Sequence, residues 1–183
     1  VDVVLASHGA EAVRTAVRET SPELIIAPML KTALPEDVWR AHTCLVVHPG
    51  PPGDRGPSSL DWAIHDGVDR WGVTVLQADG EMDAGDVWAC VPCRVPAVSK
   101  SELYRGEIAD AALEAVLLAV ERFAGGAHVP RGQDAACAAA RALRWPTRKV
   151  SASPTRVLRT CSPTAGSASP NTLCRSEPAW PSV

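Results

Sequence analysis

The strongest constraint on the fold is a change of hydrophobic period that recurs through the first hundred residues. Short apolar runs alternate with stretches whose apolar residues return every three or four positions. The runs at 1–6, 24–27 and 44–48 read as buried strands, the last stopped by Pro49. Between them, Ala12, Val13, Ala16 and Val17 lie at helical spacing in 10–19, and 34–39 carries Pro35 and two acids in a first helical turn. Residues 58–65 read as a helix capped by Ser58 and closed by Gly67, with Leu60, Trp62, Ala63 and Ile64 as its apolar positions. Strands follow at 72–78 and 87–95, on either side of the acidic turn 79–86. Ser99 and Glu102 then form a capping box opening one long helix to about Ala124. That helix places Leu103, Ala109, Leu113, Val116, Leu117, Val120 and Phe123 toward the sheet. Alternation of this kind predicts an α/β fold of three layers, with a mainly parallel sheet covered on both faces and ligands at the carboxyl ends of its strands.

The 183 residues suffice for one such domain and are too few for two. Charge divides the chain at residue 130. Residues 1–130 hold 10 Lys/Arg against 19 Asp/Glu, a net of −9, while 131–183 hold 8 against 2, a net of +6. The expected organisation is a folded domain over 1–130, incomplete at its N-terminus, and a low-complexity tail over 131–183. A short Ala-rich helix is expected at 135–143. Residues 146–183 carry six Pro among many Ser and Thr, too little apolar side chain to offset chain entropy, and are expected to be disordered. The scattered arginines of this tail lack interleaved aromatics, which weighs against nucleic acid, and the whole-chain charge of −3 weighs against an anionic membrane surface.

The opening residues carry no basic region before an apolar run, and no stretch approaches the roughly 20 apolar residues of a membrane span, so a cytoplasmic setting is expected. In such a reducing compartment the six cysteines are not expected to pair. Cys90 and Cys93 have zinc-like spacing, but no second pair lies at ligand distance, and no metal is expected. Trp39, Trp62, Trp71 and Trp88 are expected in the core or a pocket wall. His8 and His65 are expected at the surface or as caps, and His42 and His128 have no informative context.

His48, at a strand end, and Asp83, in the acidic turn, are the pair best suited to chemistry. An imidazole beside a carboxylate can hold a proton and aim it at a developing oxyanion. Their separation of 35 positions proves nothing, and spacing alone favours the plainer reading of a satisfied strand-end residue and a turn acid. The surrounding residues change that balance. Residues 47–64 (VHPGPPGDRGPSSLDWAI) and 71–88 (WGVTVLQADGEMDAGDVW) resemble the formyltransferase superfamily. Its members share a His-Pro/Ser loop, an Arg-Gly turn, an apolar helix, a Gly-x-Thr/Ser-Val strand and a Leu/Met-Asp-x-Gly turn. Within it, residues 27–30 (APML), the Gly-Asp-Arg-Gly-Pro-Ser-Ser-Leu-Asp-Trp-Ala stretch and 99–105 (SKSELYR) are most similar to the HypX (HoxX) hydrogenase maturation proteins. The resemblance covers roughly 1–130.

By that resemblance, His48 matches the catalytic histidine and Asp83 the aspartate that keeps it charged and oriented. Ile26, Ala27, Pro28, Met29 and Leu30 match the loop lining a folate's pterin pocket, and Asp79, Gly80 and Met82 lie in the turn that would close over the ring. Arg55 either steadies its loop or faces an anion such as a coenzyme phosphate. The implied donor is 10-formyltetrahydrofolate and the implied acceptor coenzyme A. A crotonase-like C-terminal domain, missing here, would then release carbon monoxide for the hydrogenase maturation machinery.

Two departures accompany the match. Where most formyltransferases have Asn-x-His, with an amide that donates to the oxyanion, this chain has Val46. Loss of such a donor costs about 3 kcal/mol of transition-state stabilisation, and a thiolate acceptor, being a better nucleophile than an amine, would soften it. The superfamily's first strand and its Gly-containing turn are also missing. Beyond residue 130 the Ala/Arg/Pro/Ser/Thr composition is that of a shifted reading frame in a GC-rich gene, so a frameshifted or truncated frame is expected. The alternatives to acyl transfer onto coenzyme A are an amine acceptor or an inactive remnant.

Overall fold

Four strands form one sheet in the order β1-β2-β3-β4 in the computed structural model, which describes residues 9–28, 30 and 33–142. They are β1 (Leu24–Pro28), β2 (Thr43–His48), β3 (Arg70–Gln77) and β4 (Val87–Arg94). The helices are α1 (Ala10–Thr20), α2 (Glu36–Ala41), α3 (Ser59–His65), α4 (Lys100–Arg105), α5 (Glu107–Ala124) and α6 (Gln133–Ala142). All of these lie in one unit spanning residues 1–150. The strand expected at 1–6, His8, and the segment 146–183 fall outside the described residues.

The sheet is mixed. Parallel pairing joins β1 to β2, with Leu24 opposite Thr43, as a strand-helix-strand unit requires. β3 instead runs antiparallel to β2, with His48 opposite Thr74, and β4 antiparallel to β3. Strand-helix alternation predicts a mainly parallel sheet; among the described strands one pairing is parallel and two are antiparallel, because periodicity reports that a segment is a strand but not its direction. The antiparallel step has a consequence for the site. The 79–86 turn leaves the sheet beside Leu45, which faces Gln77, at the end of β2 remote from His48.

Alternation along the strands divides the two faces. Leu45, Val47, Val73, Val75, Ala89 and Val91 turn one way and form the main core with Leu60 and Ala63 of α3, Leu103 of α4, and Ile108, Ala111, Ala115 and Ala119 of α5. Cys90 turns the other way, toward Leu76, Val87 and Ala136 of α6. Cys90 and Cys93, three apart on β4, therefore belong to opposite faces and cannot close on one ion.

Three local expectations are corrected. The single helix over 99–124 is two, because Gly106 (φ −97°, ψ −106°) breaks the helical backbone. The capping box at Ser99 and Glu102 is present and starts the first of them. The face of α5 toward the sheet is built on Ile108, Ala111, Ala115 and Ala119, with the expected Val116 and Phe123 packed against the same core, while Leu113 and Leu117 are 61% and 60% exposed. Alanines bring a helix close to a sheet, but they add little to an apolar periodicity that larger leucines dominate. At α3, Ser58 takes a left-handed backbone (φ +67°) and makes no side-chain cap, and Trp62 stands half exposed over His65 because Leu60 and Ala63 fill the core positions.

Candidate active site

His48 ends β2 on the face opposite α5, two residues beyond Val46 on the same side of the strand. Pro49 cannot donate to a ladder and turns the chain out of the sheet. The loop that follows is held by two bonds from β3 and one from α3. Trp71 Nε1–H and the Ser59 hydroxyl both donate to the Pro49 carbonyl, at 2.9 and 2.8 Å, and the Thr74 hydroxyl donates to the Gly50 carbonyl at 2.7 Å. A turn from Pro51 to Asp54 then brings the Asp54 carboxylate back over the ring.

The imidazole is 4% exposed and meets a carboxylate at each nitrogen. Asp54 Oδ2 lies 2.9 Å from Nε2, and Asp83 Oδ2 lies 3.4 Å from Nδ1. Asp83 is carried there because the 79–86 turn folds back along β2, with Asp83 itself left-handed at φ +53°. The same Asp83 oxygen accepts the Gly56 N–H at 3.0 Å, joining the turn to the histidine loop. Two glycines are required by space. A Cβ on Gly50 would stand 2.4 Å from both His48 Nε2 and Asp54 Oδ2, and one on Gly85 would stand 1.8 Å from the Gln77 carbonyl oxygen.

The structure thus brings His48 and Asp83 together and adds Asp54, which sequence reading passed over. Its only signal was nearness to His48 in a proline- and glycine-rich loop, where an acid ordinarily serves a turn. Of the other expected site residues, Ala27 and Pro28 end β1, one strand from His48 through the pairing of Pro28 with Val47. Ile26 and Leu30 are half-buried, and Met29 lies outside the described residues. Asp79 and Gly80 are exposed in the turn, where Asp79 accepts the Glu81 N–H, and Met82 is 63% exposed beside Asp83. Arg55 is exposed and paired with Glu81 at 2.8 Å, so it bridges the two loops at their rim. Among the described residues no group of three or more His, Cys, Asp or Glu could hold a metal ion, and no helix is long and apolar enough to cross a membrane.

Residues 5–120, which include His48, Asp54 and Asp83, match the formyl transferase family. The chain belongs to that family. The chain is similar to the hydrogenase maturation factor HoxX of Bradyrhizobium diazoefficiens, 51% identical over 135 residues, covering 74% of this chain and 24% of that one. A methionyl-tRNA formyltransferase of Anaeromyxobacter dehalogenans is 31% identical over 124 residues, covering 66% of this chain and 40% of that one. Among solved structures, HypX from Aquifex aeolicus in complex with tetrahydrofolic acid superposes with a TM-score of 0.66 at 45% identity, covering 68% of this chain and 22% of that one. The chain spans about a quarter of the length of these HoxX and HypX relatives.

Proposed function

We propose that the chain carries out folate-dependent formyl transfer, from 10-formyltetrahydrofolate to coenzyme A, as the first step in supplying carbon monoxide for nickel–iron hydrogenase maturation. The observation that carries this reading is the buried imidazole held between two carboxylates at 2.9 and 3.4 Å. The ends of β1 and β2 lie side by side, and the exposed Met82 offers apolar surface next to Asp83.

In the proposed reaction Asp83 keeps Nδ1 and fixes the ring. The formyl oxygen takes the place of Asp54 at Nε2, exchanging one hydrogen bond of that nitrogen for another. The acceptor sulfur attacks the formyl carbon, and His48 donates to the oxyanion that forms. Asp54, released from the ring, receives the thiol proton through water. Collapse of the intermediate breaks the bond to N10, which takes back through water the proton held by Asp54, leaving a formyl thioester, tetrahydrofolate and an ionised Asp54. Val46 lies on the His48 face of β2, two residues from the histidine, where the amide donor of most formyltransferases would stand. A thiolate acceptor needs that extra donor less than an amine does. The thioester would pass to a crotonase-like domain for release of carbon monoxide.

The test is formyl transfer by the purified full chain, followed as thioester formation with coenzyme A, with amine acceptors in parallel. Transfer to coenzyme A that is lost in His48→Ala supports the proposal. Transfer to amines alone, or an equally active His48→Ala, overturns it.

A further inference from the structure

The carboxylates that flank His48 come from separate loops, and one side chain outside the family match ties those loops together. Gln133 opens α6, and its amide is used in both directions. Oε1 accepts the Gly53 N–H at 2.8 Å, next to Asp54, while Nε2 donates to the Gly85 carbonyl at 2.9 Å and faces the Asp83 carbonyl at 3.4 Å. The amide orientation is set by its neighbours, since the opposite one would put N–H against N–H and oxygen against two carbonyl oxygens. Gln133 is itself anchored. Just before it, Arg131 and Val87 exchange both backbone hydrogen bonds, at 2.7 and 3.0 Å, and one turn after it the Cys137 thiol donates to the Pro52 carbonyl at 3.0 Å. Gly53 is tight against this element, because a Cβ there would stand 2.5 Å from Cys137 Sγ.

We propose that Gln133 is a positioning residue, bridging the Asp54 loop and the Asp83 turn so that both carboxylates meet the ring of His48. What the ordered trio is for rests on the formyl-transfer reading above; the bridge itself does not. Reacting groups must be held to within a fraction of an ångström, and a displacement of about 1 Å costs on the order of a hundredfold in rate. The Gly56 N–H to Asp83 bond and the exposed Arg55–Glu81 pair also join these surface loops, and Gln133 adds a tie to the backbone of each from a helix that is itself anchored.

The test compares the full chain with Gln133→Ala and with Gln133→Met, which keeps the volume and removes both hydrogen-bonding ends. The first readout is amide hydrogen exchange at Gly56, whose N–H reports the place of Asp83 and does not touch Gln133. About tenfold faster exchange there is expected, with the amides of Val47 and Val75 unchanged. The second readout is formyl transfer, with kcat falling on the order of 10- to 100-fold and KM changing little. Unchanged Gly56 exchange in a variant that keeps the protection of Val47 and Val75 overturns the proposal. If Gln133→Ala loses that protection, Gln133→Met decides by the same criterion. A wild-type chain that transfers no formyl group sinks the functional reading alone, because the exchange measurement still decides the bridge.

Discussion

Asp83 reaches Nδ1 of His48 at 3.4 Å from a left-handed backbone position, φ +53°. The turn that carries it starts at the opposite end of β2 and must fold back to make that approach. Few residues other than glycine accept such a φ, and Asp and Asn are the usual exceptions. Position 83 therefore combines a conformational demand with a charge, and a substitution can separate them. Asp83→Asn keeps the backbone tolerance and removes the charge. Formyl transfer is expected to fall by about a hundredfold or more, while the urea midpoint stays close to wild type. A matching loss of stability, measured by urea titration, would make Asp83 a structural residue instead.

Gly50 separates the histidine from its other carboxylate. Gly50→Ala puts a methyl 2.4 Å from both His48 Nε2 and Asp54 Oδ2, so one of them must move. Transfer is expected to drop by about tenfold or more, because the misplaced group is a reacting one. Steady-state kinetics, with thermal melting as the control, checks this. Full activity would mean that the Asp54 contact at Nε2 is dispensable.

The two faces of α5 should differ in their cost. Ile108 is fully buried, and Ile108→Ala is expected to destabilise by about 2–5 kcal/mol. Leu113→Ala, at 61% exposure, should lie within about 0.5 kcal/mol of wild type. Urea unfolding of the two variants gives the comparison directly. Equal losses would mean that Leu113 is covered in solution.

Burial pushes the Cys44 thiol from its ordinary value of 9.0 up to about 11. The folded chain thus holds that proton where the unfolded chain releases it. The associated stability is complete below about pH 9 and is lost as the pH rises toward 11, on the order of 2 kcal/mol in all. Burial moves Cys93 the same way, also to about 11. Melting temperature should therefore fall between pH 9 and 11, and less steeply in Cys44→Ala. A slope unchanged by that substitution would assign the effect elsewhere.

Strand and helix positions were legible because burial imposes a period on the side chains, and β1 to β4 lie within a residue or two of where their apolar runs put them. The break at Gly106 was masked by an uninterrupted apolar pattern on either side of it. The sheet-facing alanines of α5 were masked by larger leucines that face outward. Pairing direction was not legible at all, since an antiparallel β3 and a parallel one carry the same alternation.

For the site, local sequence determined His48 at the end of a strand, a proline-stopped loop after it, and an acid in a turn that glycine and aspartate permit. Those are consequences of backbone sterics and short-range hydrogen bonding. Only the tertiary structure decided that Asp54 and Asp83 take the two ring nitrogens, and that Gln133, 80 residues from the Gly53 N–H it accepts, joins their loops. Such contacts depend on where separate segments cross in space, and no periodicity along the chain encodes that crossing.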